Sequence, residues 1–364
     1  MTDLAADVVA ISPVVVPATV DAPDARLFVE MVRIANAVCL YDAGHDYLHE
    51  EPEEMLGMWQ DQADWTQLGY AALRGDDVLG VVKLLISNQA DAGTVEFDLM
   101  VDPPHRGQGV EERLLAEVER EARERRIDTI QTWTLHRPDA SGPRLEAPTG
   151  WGSIPADAEA LRQQANGFTL EQVERNSVFD LTGDVSLVER MLRDAEAAAG
   201  DEYRAITWTS PTPPEYIDGF AYALSRMSTD TPQGGLVVDE QHWDAARVKR
   251  RDARLKAQGL TVSVAAVLHE PTGRVAAYNE LAIADDPTGA TQQFGTLVVK
   301  EHRGHRLGTI VKCANLLRWR TIAPQSPRVS TFNAEENRHM LDINEAIGFV
   351  PASYAGAWKK VLDL

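Results

Sequence analysis

Apolar residues recur at three- and four-residue spacing over 24–40 and again over 51–65, which predicts two amphipathic helices. The rhythm changes to period two at 67–74 and 78–87, two strands joined by the hairpin turn Gly75-Asp76-Asp77. A strand at 94–101 runs into the loop 102–109, followed by a charged helix at 110–126 and a strand at 128–135. The stretch 136–155, rich in Pro, Gly and Ser, predicts a loop. Helix 156–166, strand 168–181 and helix 185–199 come next, the last ended by Gly200. The order then repeats: strand 203–208, helices 213–227 and 239–258, and strands 261–269, 274–284 and 292–299. A loop and helix, strand 328–332, helix 334–347 and strand 349–361 close it. An Arg-Gly pair stands at 106–107 and 303–304, and a Gly-Phe pair at 167–168 and 348–349. Two like units account for this most simply, with expected bounds of 1–183, a linking helix 184–201, and 202–364.

The most informative junction is 296–317. The apolar run Leu297-Val298-Val299 meets the turn Arg303-Gly304-His305-Arg306-Leu307-Gly308, then a helical pattern with Ile310, Val311, Ala314 and Leu317 on one face. Such a junction aims unpaired backbone N–H groups and the positive end of a helix dipole at one spot. Glycines let the backbone approach phosphate oxygens, and arginines add charge, so an anion site is expected; a solvent-exposed βα turn is the alternative.

Arg303, Arg306 and Gly308 resemble the Q/R-x-x-G-x-G/A pyrophosphate loop of the GNAT N-acyltransferase superfamily, with Arg306 where the family has its first glycine. The stretch 330–349, a strand ending at an asparagine, then a helix and Gly-Phe, resembles the family's C-terminal half. The double unit is similar to mycothiol synthase and to tandem GNAT proteins of antibiotic clusters. The resemblance implies an α/β (α+β) fold of two tandem units, each a mixed, mostly antiparallel twisted sheet with helices on both faces. In each, the fourth and fifth strands would splay around acetyl-CoA, the implied co-substrate.

The resemblance places acetyl-CoA on Leu297, Val298 and Val299, and on Arg303, Gly304, His305, Arg306, Leu307, Gly308 and Thr309. Asn333 would cap the last helix or line the site, and Asn337 would reach the pantetheine arm. Backbone N–H groups around Leu297 to Val299 would stabilise the oxyanion. The family's acid, a tyrosine four residues before the Gly of Gly-Phe, is replaced by Asn344 in the second half and Gln163 in the first. An amide does not titrate near neutrality, so Asn344 is expected only to donate a hydrogen bond to sulfur, with Tyr354 or Tyr278 as other possible acids. Candidate bases are Glu280, His302 and His305 in the second half and Glu96 and Asp98 in the first; for Glu280 an ion pair is the alternative. Asp230 would either hold a cationic amine or shape a turn before Pro232. In the first half Glu111 and Glu112 stand at the helix start, where they would repel a pyrophosphate.

Composition narrows the partners. A formal charge of -21 in 364 residues argues against nucleic acid and suits a cationic small-molecule amine. With 44% hydrophobic and 25% charged residues the chain reads as globular, and no apolar run reaches the roughly 20 residues of a membrane span. The apolar run 8–20, broken by prolines, does not read as a leader. Cys39 and Cys313 fall in helical patterns and are expected as buried thiols of a cytoplasmic protein, monomeric or homodimeric. Nine scattered histidines and no C-x-x-C or H-E-x-x-H motif predict no metal. The expected activity is acetyl transfer from acetyl-CoA to a primary amine by direct attack in a ternary complex. The alternatives are a non-catalytic acyl-CoA-binding protein and a protein-lysine acetyltransferase.

Overall fold

The structure, a computed structural model, describes residues 9–89 and 92–364; Val8, the first residue of the N-terminal apolar run, lies outside them. The elements begin β1 Ala10–Pro13, α1 Arg26–Ala43, α2 Pro52–Gln60, β2 Trp65–Arg74, β3 Asp77–Ser87 and β4 Thr94–Val101. They continue α3 Val110–Arg125, β5 Thr129–His136, the short pair β6 Arg144–Glu146 and β7 Ser153–Pro155, α4 Ala158–Ala165 and β8 Thr169–Asp180. Next come α5 Ser186–Ala199, β9 Tyr203–Thr209, α6 Ile217–Asp230, α7 Ala245–Ala257, β10 Thr261–His269 and β11 Arg274–Ile283. The chain ends with β12 Thr291–Val298, α8 Leu307–Ile322, β13 Arg328–Ala334, α9 Arg338–Ile347 and β14 Val350–Val361.

Two compact units result. One is Met1–Glu174 with Gln233–Asp239 and Ser353–Leu364; the other is Arg175–Pro232 with Glu240–Ala352. Most of β14 thus counts with the first unit, as does a short piece after α6. The sequence-based division at 183 and 201 contained neither exchange.

In the first unit β1, β2, β3, β4, β5 and β14 lie side by side in that order. All these pairings are antiparallel except β4 with β5, which run parallel and pair only over Thr94–Phe97 against Thr129–Thr132. One face takes the apolar stripe of α3, Val110, Leu114, Val118 and Ala122, with Trp358 of β14 in the same core. The other takes α1 and α2, where Phe28 meets Trp59 edge-on at 5.7 Å.

In the second unit β9, β10, β11, β12 and β13 follow one another. The pairings are antiparallel until β12 and β13, which run parallel and pair only at Thr291 with Val329 and Gln292 with Ser330. Beyond those two pairs the strands part. Leu307, Ile310 and Val311 of α8 cover one face; Phe220, Leu224 and Val248 of α6 and α7 cover the other.

Most predicted elements stand, with informative shifts at their ends. Helix α7 starts at Ala245 rather than 239 because Asp244 caps it, accepting a 2.7 Å bond from the Arg247 amide. Helix α9 starts at Arg338 rather than 334 because β13 continues to Ala334. Residues 228–230, read as a turn, form the last turn of α6.

Candidate acyl-CoA cleft

The second unit opens a cleft of about 620 Å³ where β12 and β13 part. Its walls are Thr296, Leu297 and Val298 of β12, the loop through Arg303, Gly304, Arg306, Leu307, Gly308 and Thr309 but not His305, and α9 through Asn337, Met340 and Ile343. Strand geometry decides what β12 offers. The Val299 amide donates to Ala276 O of β11 at 2.9 Å, so by alternation the main-chain groups of Val298 point away from β11, into the opening. Of the three residues proposed for the oxyanion, Val298 therefore has the geometry. A buried network sets this strand against α8: Asn315 Nδ2 donates to Asn279 Oδ1 at 2.8 Å, and Asn279 Nδ2 donates to Thr296 Oγ1 at 2.7 Å.

The loop is held by its first arginine. Arg303 Nε donates to Val298 O at 3.3 Å and Nη2 to Asp230 O at 2.7 Å. Asp230, 1% exposed at its side chain, pairs with Arg226 and accepts from the Lys300 amide at 3.1 Å. Asp230 lines the cleft, but its carboxylate is engaged in fixing the loop. Gly304 takes φ +89° and Arg306 φ +56°, so the arginine sits in the left-handed conformation for which a glycine is the easier residue. The consequence is a row of outward amides. Among the described residues nothing accepts from the backbone N–H groups of Gly304, His305, Arg306, Leu307 or Gly308, and the exposed Arg306 guanidinium has no partner. A Cβ at Gly308 would lie 2.9 Å from Ile343 Cδ1, so a larger residue there would push the end of that side chain aside.

The other predicted residues scatter. Glu280, on β11, is 1% exposed and ion-paired with Arg251, Nη1 to Oε1 at 2.9 Å and Nη2 to Oε2 at 3.0 Å; it does not line the cleft. Asn344 is buried and donates from Nδ2 to Asn333 Oδ1 at 2.8 Å, which ties α9 to the end of β13. Tyr278 is fully buried against Phe220, and burial pushes its phenol far above the usual range, which removes it as an acid. His302 Nδ1 lies 3.1 Å from Tyr203 Oη, and burial followed by the nearby His269 lowers its pKa. The His305 ring packs on Tyr203 at 5.0 Å, so this residue offers the loop its backbone. The reading from sequence missed the cleft-lining face of α9, whose Met340 and Ile343 follow a helical spacing that reads equally well as core.

The first unit repeats the loop with a different filling. Arg106 Nε donates to Val101 O at 3.1 Å, and its two Nη atoms grip Asp42 at 2.8 Å each. Gly107 and Gly109 take φ +69° and +83°, matching Gly304 and Arg306. Here, however, the Gly107 amide donates to Glu111 Oε1 at 2.9 Å. A separate cavity of about 210 Å³ in this unit is lined by Trp59, Lys83, Glu96, Asp98 and Trp133. Burial, then Asp98, Asp239 and Glu174, push the Glu96 carboxyl up to about 7.

Among the described residues there is no group of three or more His, Cys, Asp or Glu arranged to hold a metal, and no helix long and apolar enough to cross a membrane. Cys39 and Cys313 are both free thiols; Cys313 is buried and Cys39 partly so.

Residues 34–141 match the acetyltransferase (GNAT) family. No curated protein matches the chain. Among solved structures, a tandem GNAT protein from the clavulanic acid biosynthesis pathway is similar over 98% of this chain and 99% of its own, at TM-score 0.72 and 22% identity. A GCN5-related N-acetyltransferase from Sphaerobacter thermophilus is similar over 97% and 98%, at TM-score 0.60 and 14% identity. A glucosamine N-acetyltransferase region of a fungal multi-domain β-N-acetylglucosaminidase is similar over 97% of this chain and 38% of its own, at TM-score 0.55 and 15% identity. The likeness to the acetyltransferase (GNAT) family is thus carried by residues 34–141, and the chain as a whole has the fold of a tandem GNAT protein.

Proposed function

We propose that the second unit binds acetyl-CoA and transfers its acetyl group to a primary amine of a small molecule, by direct attack in a ternary complex. The observation that carries this reading is the loop from Gly304 to Gly308: free amides, an unpaired Arg306 and a helix start, all facing a cleft. That set suits a pyrophosphate. The gap between β12 and β13 would take the pantetheine arm along Asn337, Met340 and Ile343, with the thioester oxygen near the Val298 amide. The amine must be neutral to attack, and no unpaired carboxylate of β11 stands ready to take its proton. Removal of that proton is assigned to water in the cleft. No titratable side chain stands at Asn344, so the CoA thiolate would leave with a hydrogen bond and be protonated by solvent.

An amine acceptor is supported by the N-acetyltransferases among the similar structures and by the net charge of -21, which steers cations toward the surface. The test is CoA release in a thiol assay, with acetyl-CoA and a panel of amino sugars, diamines and lysine peptides, on wild type and Arg306→Glu. The expected result is turnover with a small amine and a KM for acetyl-CoA that rises in the variant. Turnover confined to lysine peptides would indicate a protein acetyltransferase. Tight acetyl-CoA binding with no turnover would indicate a non-catalytic binder.

A further inference from the structure

We infer that the first unit's loop already holds an anion of its own: the Glu111 carboxylate stands where a phosphate would, and it closes this loop to acyl-CoA. The inference rests on the second unit's loop being the working cofactor site. Position by position the two loops agree in conformation, with an arginine tied to the preceding strand, a glycine at positive φ, a second residue at positive φ, and the helix start. They differ at the second helical residue, Glu111 in one and Gly308 in the other.

The carboxylate at that position turns the site inward, and Gly109 in place of Arg306 leaves the loop without the second arginine. Glu111 is 3% exposed although it carries a carboxylate at the start of a 16-residue helix. Its Oε1 accepts from the Gly107 amide at 2.9 Å, whereas the matching Gly304 amide has no acceptor. Its Oε2 is buried with no hydrogen-bond partner, an expensive state that the helix dipole offsets. The loop's arginine is also withdrawn, since both Nη atoms of Arg106 are spent on Asp42. A phosphate would have to displace a carboxylate that is covalently attached and therefore always present at high effective concentration.

The experiment is calorimetric titration with acetyl-CoA of wild type, Glu111→Ala, Glu111→Gly, Arg306→Glu and the double variant Glu111→Ala with Arg306→Glu. Counting only sites within about tenfold of the wild-type affinity, the expected numbers are one, two, two, none and one. Glu111→Gln, which keeps the shape and loses the charge, guards against a misfolded truncation and is expected to show a weaker second site. One site in every folded Glu111 variant, with that site lost in Arg306→Glu, overturns the inference while the second-unit reading stands. One site in wild type whose affinity is unchanged in Arg306→Glu defeats the second-unit reading, and if Glu111→Ala then leaves the count at one, the closed loop falls with it.

Discussion

Arg306 and Arg303 look equivalent as letters, and their surroundings separate them. Arg303 is spent on two carbonyls, whereas Arg306 is exposed and unpaired, so charge reversal at 306 tests phosphate binding without dismantling the loop. Losing one attraction and gaining one repulsion in partly solvated surroundings costs roughly 2 kcal/mol, so Arg306→Glu should weaken acetyl-CoA about 30-fold by calorimetry with an unchanged melting temperature. Glu280 gives the opposite pattern. Glu280→Gln leaves Arg251 buried without its counter-charge, so it should destabilise by about 3 kcal/mol, seen as a lowered melting temperature, and change kcat little in the protein that stays folded. A large fall in kcat at unchanged stability would restore Glu280 as the base. Lys312 supplies a pH dependence. It is fully buried on α8, its Nζ 3.0 Å from Gln293 Oε1, and burial lowers its pKa to about 7. The unfolded chain therefore takes up this proton as pH falls from about 10.5 toward 7 while the folded chain does not, and stability declines across that window. Lys312→Met should stabilise by on the order of a few kcal/mol at pH 7, with the gain shrinking toward pH 10 in parallel thermal melts.

The two strand–loop–helix junctions show one backbone turn with different side chains around it. The arginine tie to the preceding strand and the backbone turn are common to both, whereas the residues that face an anion differ, Gly109 and Glu111 in one and Arg306 and Gly308 in the other. Transplanting the glutamate, Gly308→Glu, should abolish acetyl-CoA binding in the second unit while the helix persists, checked by titration alongside circular dichroism. Periodicity in the sequence located these junctions to within a residue or two, because strand and helix rhythms change sharply there. Helix starts governed by capping or by strand extension were less legible. Asp244 capping α7 and β13 running to Ala334 are decided by local hydrogen bonds that an apolar pattern does not encode. Side-chain roles were the least legible: Glu280 and Asp230 carry the right chemistry for a base and an amine anchor, but partners distant in sequence or in fold, Arg251 and the Lys300 amide, engage them.

Repetition at the level of the chain was visible in the recurring Arg-Gly and Gly-Phe pairs, and it carried the fold correctly to a tandem GNAT arrangement. What repetition hid was the exchange of chain segments between units. A C-terminal strand reads as local to its neighbours, yet Ser353–Leu364 counts with the first unit, where β14 pairs with β5 from Tyr354 opposite His136 to Val361 opposite Thr129. Deleting Ser353–Leu364 would expose the edge of β5 and remove Trp358 from the first core. The expected outcome is loss of the first unit's cooperative melting in scanning calorimetry, and a truncated protein that melts like the full chain would refute this assignment. The family match at 34–141 falls in that same first unit, so family likeness and the open loop lie in different halves of the chain.

Hydrogen exchange read by mass spectrometry, with and without saturating acetyl-CoA, separates these halves most directly. New protection is expected across residues 304–312, where the free amides and the start of α8 lie, and none across 107–113. Protection at 107–113 with 304–312 unchanged would contradict it.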